Sequence, residues 1–435
     1  MDAITFTATV RGTDQTITVD LSALLARFHT VPDGRKKRGV RYPLAVLLSI
    51  AVLAKLCGDS QIHALADWAH ARRVELARLF DLKRTTMPHP TTWTRVLGHA
   101  VPAAAVEAAL HPLLHDTSGS EVGPRASTQV ALDGKTLRGT IPSGASQGVH
   151  LVTAYQVKER VPLIQLAVSA KANELTIAPD LLSRLNLKGV LLTGDAMFAQ
   201  RNLSRQIVEA GGDYLWIVKG NQPKLYDDLR LLFGPQPAAL PGTSLIADDF
   251  ETVRTLTPGH RRLDERVLTM SGLLCGYCDW PYLSQAFQVK RTSKRGQQTT
   301  DEVRYGITSA PASVLGANKM LGAVRGHWQI ENGLHYRRDV TLDEDASLVR
   351  TGQAPHVLAT LNNFVCGLTA RAGITNLAAI QRALAAAVDR CLFTQYLCIS
   401  PDRNPTGFVP VLCNCFCPLL CISTCFGEQV YFQLR

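Results

Sequence analysis

Residues 188–220 read KGVLLTGDAMFAQRNLSRQIVEAGGDYLWIVKG, and this stretch decides the fold. Its opening, KGVLLTGD, is a nearly continuous apolar run ending in Asp195, the pattern of a strand buried on both faces. AQRNLSRQIVEAGG then spaces its apolar residues as an amphipathic helix and stops on Gly211-Gly212, a residue type that suits a helix end. YLWIVKG is a second short strand, rich in aromatic and β-branched residues. Strand, helix and strand in this order make a parallel β-α-β unit.

Upstream, TQVALD (128–133) reads as a strand ending in Asp133, and HLVTAYQVK and VPLIQLAVSA as two more, turning at Glu159-Arg160. ELTIAPDLLSRL is helical. The order β-β-β-α-β-α-β predicts an α/β fold with a ribonuclease-H-like core, an antiparallel meander leading into parallel units and flanked by helices. Downstream, FETVRTLT, LDERVLTMS, AFQVKRTS and DEVRYGITS predict a β-rich insertion at about 235–312, and helix returns from about Val314 to Arg390. Before the core, apolar residues recur at helical spacing from Pro43 to about Ala109, with Thr91 or Thr92 as an N-cap. The expected organisation is a mostly helical N-terminal domain (1–120), a catalytic domain (126–385) and a tail (391–435).

The chain carries 46 Lys+Arg against 36 Asp+Glu, a formal charge of +10, which suits a polyanionic partner. An exposed-looking basic run, Arg35, Lys36, Lys37, Arg38 and Arg41, is either a DNA-backbone contact or a solvated surface. The apolar stretch Leu44–Ala54 is too short to span a bilayer and is expected to be a buried helix. No secretory signal is legible, and a cytoplasmic protein with no membrane association is expected. Seven of the 11 cysteines crowd the last 45 residues, where Thr406–Gly427 carries no charge. That tail reads as a foreign C-terminus, with a zinc site or a membrane segment as alternatives.

Asp133 and Asp195 each close an apolar strand and are each followed by a small residue, Gly134 and Ala196. Carboxylates at strand ends, where an α/β sheet opens, can converge on one point. Paired hard oxygen ligands suit Mg²⁺; the alternative is that each aspartate caps a turn. Asp133-Gly134-Lys135-Thr136 is not a phosphate-binding P-loop, because the required earlier glycine is Gln129. In HWQIENGLHYRRDV, helical winding would put His327, Glu331, His335 and Arg338 on one face, with Trp328, Ile330 and Leu334 anchoring the other. Such a face suits a metal and phosphates, with His327 and Arg338 as charge-assisted donors. A solvent-exposed stripe or zinc ligation by the two histidines are the alternatives, although HExxH spacing is absent.

The stretches RYPLAVLLSIAVLAKLCGDSQIHALADWA, ALDGKTLRGT, LLTGDAMFAQRNLSRQIVEAGGDYLWIVKGNQPKL and RGHWQIENGLHYRRDVTLDEDAS resemble bacterial insertion-sequence DDE transposases, the group that includes the H-repeat-associated proteins. The resemblance covers roughly residues 30–385 and ends before the tail. It implies Asp133, Asp195 and Glu331 as catalytic metal ligands holding two Mg²⁺ or Mn²⁺ ions. It implies cleavage at element ends and joining to target DNA by a homodimer on paired ends, in the bacterial cytoplasm at the nucleoid. A nuclease without strand transfer and a relic that only binds DNA are the alternative functions. Lys135, Arg138, Lys219, Asn221, Gln222, His327 and Arg338 are the expected DNA or phosphate contacts. Related families place a tyrosine seven residues before the glutamate, where this chain has Val324.

Overall fold

The computed structural model describes residues 4–398 apart from 39, 116–124, 169–172, 235–248 and 260, with the backbone alone for 393–398. The part of the cysteine-rich tail beyond 398, the core of the interdomain linker and the start of the insertion therefore lie outside the described residues.

A hairpin opens the chain: β1 (Thr5–Thr9) and β2 (Thr16–Asp20) alternate exposed and buried residues, turning Phe6, Ala8, Ile17 and Val19 inward. Asp20 caps α1 (Leu21–Phe28) by accepting the Ala23 N–H at 2.9 Å. Helix α2 (Leu44–Leu56) is buried at every position, so it requires neighbours on all sides. Next come α3 (Ile62–Ala71), α4 (Arg73–Leu79), α5 (Pro90–His99) and α6 (Ala103–Leu114). Helix α5 begins before the expected cap: Pro90 occupies its first turn, where the fixed φ is an advantage, and His89 is the cap.

The meander follows as β3 (Thr128–Thr136), β4 (His150–Gln156) and β5 (Val161–Val168), then α7 (Glu174–Ser183), β6 (Val190–Gly194), α8 (Arg201–Glu209), β7 (Asp213–Val218) and α9 (Pro223–Leu232). Strand β6 runs parallel to β3 and β7, whereas β4 is antiparallel to β3 and β5. This is the ribonuclease-H-like arrangement expected. The insertion supplies β8 (Phe250–Gly259), β9 (Arg262–Ser271), β10 (Gln285–Arg295) and β11 (Gln298–Thr308). It is continuous with the core sheet: β11 pairs antiparallel with β7 from Tyr305↔Val218 to Thr308↔Leu215, completing one nine-stranded sheet in the order β5-β4-β3-β6-β7-β11-β10-β9-β8. Pairing there covers the edge that β7 would otherwise expose.

Helix α10 (Ala317–His327) leads through two wider, π-wound turns (Glu331–His335 and Arg337–Thr341) to α11 (Ala354–Arg371) and α12 (Leu377–Cys398). The last two helices share one apolar cluster with α1, α2, α5 and α6. The helical N-terminal region thus finishes its core with α11 and α12, because α2, buried on every side, is not covered by its sequence neighbours alone. Among the described residues no helix is long and apolar enough to cross a membrane.

Candidate active site

Asp133 lies mid-strand on the β4 side, opposite Thr153, but at the point where β3 loses its β6 partner. The last parallel pair is Leu132↔Gly194, so Asp133 and Asp195 are the next residues along two neighbouring strands. The sheet opens between them because β6 stops and the chain turns at Ala196–Phe198. Asp195 fixes that turn by accepting the Met197 N–H at 3.0 Å. Close packing at Gly194 is enforced by the Trp216 ring, which a Cβ there would meet at 2.7 Å.

Glu331 reaches the same opening from the first wide turn after α10. That helix is docked by Gln129, which donates to Ala323 O at 2.8 Å and to Thr193 Oγ1 at 3.2 Å. His327 Nδ1 lies 3.2 Å from the same hydroxyl. Burial holds the His327 pKa below its ordinary value despite the pull of Asp133, Asp195 and Glu331. The three carboxylates, His327, Lys219 and Thr193 line one cavity of about 290 Å³.

His335, one turn beyond Glu331, is buried with Nδ1 3.2 Å from Asp133 Oδ2 and 3.7 Å from Glu331 Oε2. Burial disfavours its charged form, but the two nearby carboxylates prevail and raise its pKa. The Glu331 pKa is lowered in return, first by His335 beside it. Asp133, Glu331 and His335 each present a ligand atom within 4.8 Å of the others, and Asp133 Oδ2 is buried with no hydrogen-bond partner. Within this set the Asp133 and Glu331 carboxylate oxygens are the hard donors that a cation such as Mg²⁺ takes, with Asp195 on the same cavity wall. His335 was recognisable in the sequence only as part of the polar helix face, and its contact with Asp133 depends on the fold.

Several expected phosphate contacts are placed elsewhere. Arg338 is wholly buried: Nε lies 2.8 Å from Glu344 Oε2, and Nη1 donates to Gln165 Oε1 at 2.9 Å and Asn363 Oδ1 at 3.1 Å. The wide turns explain this, since each adds a residue to a turn and rotates everything beyond it off the face that 3.6-residue spacing would give. Lys135 is also buried, ion-paired with Asp339 at 2.6 Å and Asp345 at 3.4 Å. Asn221 and Gln222 donate to the Ala196 and Ala199 carbonyls at 2.5 and 3.0 Å, so they shape the turn after Asp195. Lys219 and Arg138 remain exposed, the latter with Nε 3.6 Å from Asp345. Trp328, expected as a core anchor, is 46% exposed, while Ile330 and Leu334 do anchor the helix.

The family model described as "Transposase DDE domain" matches residues 124–365, and its associated N-terminal model matches 25–112. A protein of Escherichia coli O157:H7 named "Putative transposase YncI" is 28% identical over 80% of this chain and 88% of its own length. "H repeat-associated putative transposase YhhI" of Escherichia coli K12 is 25% identical over 86% of this chain and 97% of its own. A solved piggyBac transposase, in a synaptic complex with hairpin DNA, aligns over 88% of this chain and 79% of its own at 11% identity and a TM-score of 0.42. With a domain match that spans both aspartates, Glu331 and the sheet that carries them, the chain belongs to the DDE transposase family.

Proposed function

We propose that this protein cleaves DNA at the ends of its own insertion element and joins those ends to target DNA, with Asp133, Asp195 and Glu331 as the catalytic carboxylates. The observation that carries the reading is the convergence of all three on one cavity from two parallel strands and one helix turn. Divalent ions held there, Mg²⁺ or Mn²⁺ and two in number, would supply Lewis-acid stabilisation of a phosphate and activation of a hydroxyl nucleophile. His335 holds Asp133 and Glu331 in position. Lys219 and His327 stand where a phosphate would enter the cavity, and Arg138 offers a cation on the exposed surface beside Asp345. Element ends and target are the DNA partners, a homodimer on paired ends the working assembly, and the bacterial cytoplasm the place of action.

The test incubates the full chain with its element's end sequences, a target plasmid and Mg²⁺ or Mn²⁺. Cleaved and joined products that disappear in Asp133→Ala support the reading. Nicking without joining would replace it by a nuclease, and binding without cleavage by a DNA-binding relic.

A further inference from the structure

The loop between β9 and β10 carries Cys275-Gly276-Tyr277-Cys278, at the end of the sheet away from the carboxylate cavity. Two cysteines at this spacing serve thiol–disulfide exchange or make half of a zinc site. Among the described residues, the side chains close enough together to hold a metal are Asp133, Glu331 and His335, so nothing completes a zinc site around the two thiols. Thiol–disulfide chemistry is the reading left.

The backbone folds tightly at the pair. The Tyr277 N–H donates to Leu274 O at 3.2 Å, and the Cys278 N–H donates to the same carbonyl at 3.1 Å. Gly276 allows this with a φ of +77°; a Cβ there would meet nothing within 4 Å, so the glycine serves the backbone and not a need for room. A turn so closed keeps residues three apart within about 7 Å, and a disulfide spans Cα atoms about 4.4–6.8 Å apart. The second half of the loop is fixed independently. Trp280 is buried beneath Arg201, which also pairs with Asp279 at 3.0 Å, and Tyr214 Oη donates to Pro281 O at 2.8 Å.

The two thiols are differently placed. Of the cysteines whose side chains are described, Cys275 alone is exposed. Cys278 is half-buried, with Sγ donating to Asp228 Oδ2 of α9 at 3.4 Å. Desolvation, and then Asp228, push its thiol up to about 11, so it is a poor nucleophile toward anything in solution. One thiol is thus open to attack from outside, and the other stands beside it in reserve.

We propose that Cys275 and Cys278 are a redox-active dithiol, closed to an intramolecular disulfide by low-molecular-weight disulfides and reopened by the corresponding thiols. The Cys275 thiolate attacks one sulfur of the small disulfide, forming a mixed disulfide and expelling one thiolate. The Cys278 thiolate, its proton lost to solvent, then attacks the Cys275 sulfur and expels the second. The protein gives up two electrons and two protons, and the small disulfide becomes two thiols. Closure takes from Asp228 the hydrogen bond that fastens this loop to α9. The other end of α9 follows Asn221 and Gln222, which shape the turn after Asp195.

Trypsin makes the test specific, because cleavage after Arg266 and Lys290 releases both cysteines, and no others, in one peptide. The full chain is incubated with oxidised glutathione and quenched with N-ethylmaleimide, and that peptide is weighed. We expect the parent peptide to lose both alkylation sites together and to become two hydrogens lighter. Cys278→Ser should instead retain glutathione on Cys275, an adduct that is transient in the parent. Closure should accelerate about tenfold per pH unit from about pH 7 to 9, as the thiolate fraction of a thiol titrating near 11 does. Asp228→Asn should speed closure at pH 7. Far-UV circular dichroism matching the parent confirms that each variant is folded. A stable glutathione adduct on Cys275 in the parent, or a closure rate independent of pH, would overturn the proposal. The pair shares no residue with the carboxylate site, so this result and the cleavage assay stand or fall separately.

Discussion

Replacing Arg338 by methionine separates a structural arginine from a phosphate-binding one. In the fold this guanidinium is wholly buried and bonded to Glu344, Gln165 and Asn363, and Glu344 is held in turn by Asn362 Nδ2 at 2.8 Å. Lys55 joins the same chain through Asn362 Oδ1 at 2.7 Å. Arg338→Met strands the Glu344 carboxylate in the interior, and breaking one side of a buried ion pair costs about 3–5 kcal/mol. Lys55 and Asn362 soften that, so the lower end, about 3 kcal/mol, is the expected loss. With a urea slope of about 2–3 kcal/mol per molar, the midpoint should fall by roughly 1 M. Far-UV circular dichroism in urea reads this directly. The double variant Arg338→Met, Glu344→Met removes both charges and should recover most of the loss. A single variant with an unchanged midpoint, but with weaker DNA binding and a shallower salt dependence, would refute the buried-network account and return Arg338 to the phosphate.

Glu107 is half-buried and accepts the Gln165 N–H, and desolvation raises its pKa to about 7. A raised carboxylate pKa means the folded state holds a proton the unfolded state releases, so stability falls as pH rises from about 4.5 to about 7. Glu107→Gln should therefore match the parent near pH 4.5 and exceed it at pH 8, by at most about 3 kcal/mol; parallel pH profiles of the two proteins would contradict this. Gly306→Ala should destabilise by about 1–3 kcal/mol or more, since the new Cβ meets the Phe287 ring at 2.2 Å and Trp216 O at 2.5 Å, where β11 joins the core. A wild-type urea midpoint would show that this junction yields.

Periodicity revealed the meander, the β-α-β unit and the strands of the insertion, because alternation and apolar runs report burial directly. It could not show that the insertion continues the core sheet, since edge pairing between β11 and β7 leaves no local signature. Asp195 was legible as a carboxylate just past a strand end and Glu331 as the polar member of a helix, whereas Asp133, read as a strand end, lies within β3, which runs on to Thr136 against β4. Arg338 was misplaced because a count of seven residues means one face only while the winding stays at 3.6 per turn. Lys135 was misread for another reason: its partners Asp339 and Asp345 lie some 200 residues away, and an ion pair at that range is invisible in a local pattern.

The burial of α2 on every side has a consequence for how the protein is made. Its Lys55 is bonded to a residue 307 positions later, and the helices that close over it are the last ones described. At roughly 5–20 residues per second, the ribosome needs about 15–60 s to deliver that cover. For this interval a 13-residue apolar helix waits with part of its surface unsheltered. The nascent chain is thus a long-lived client for chaperones, and a polypeptide terminated before α11 would be fated for aggregation or proteolysis.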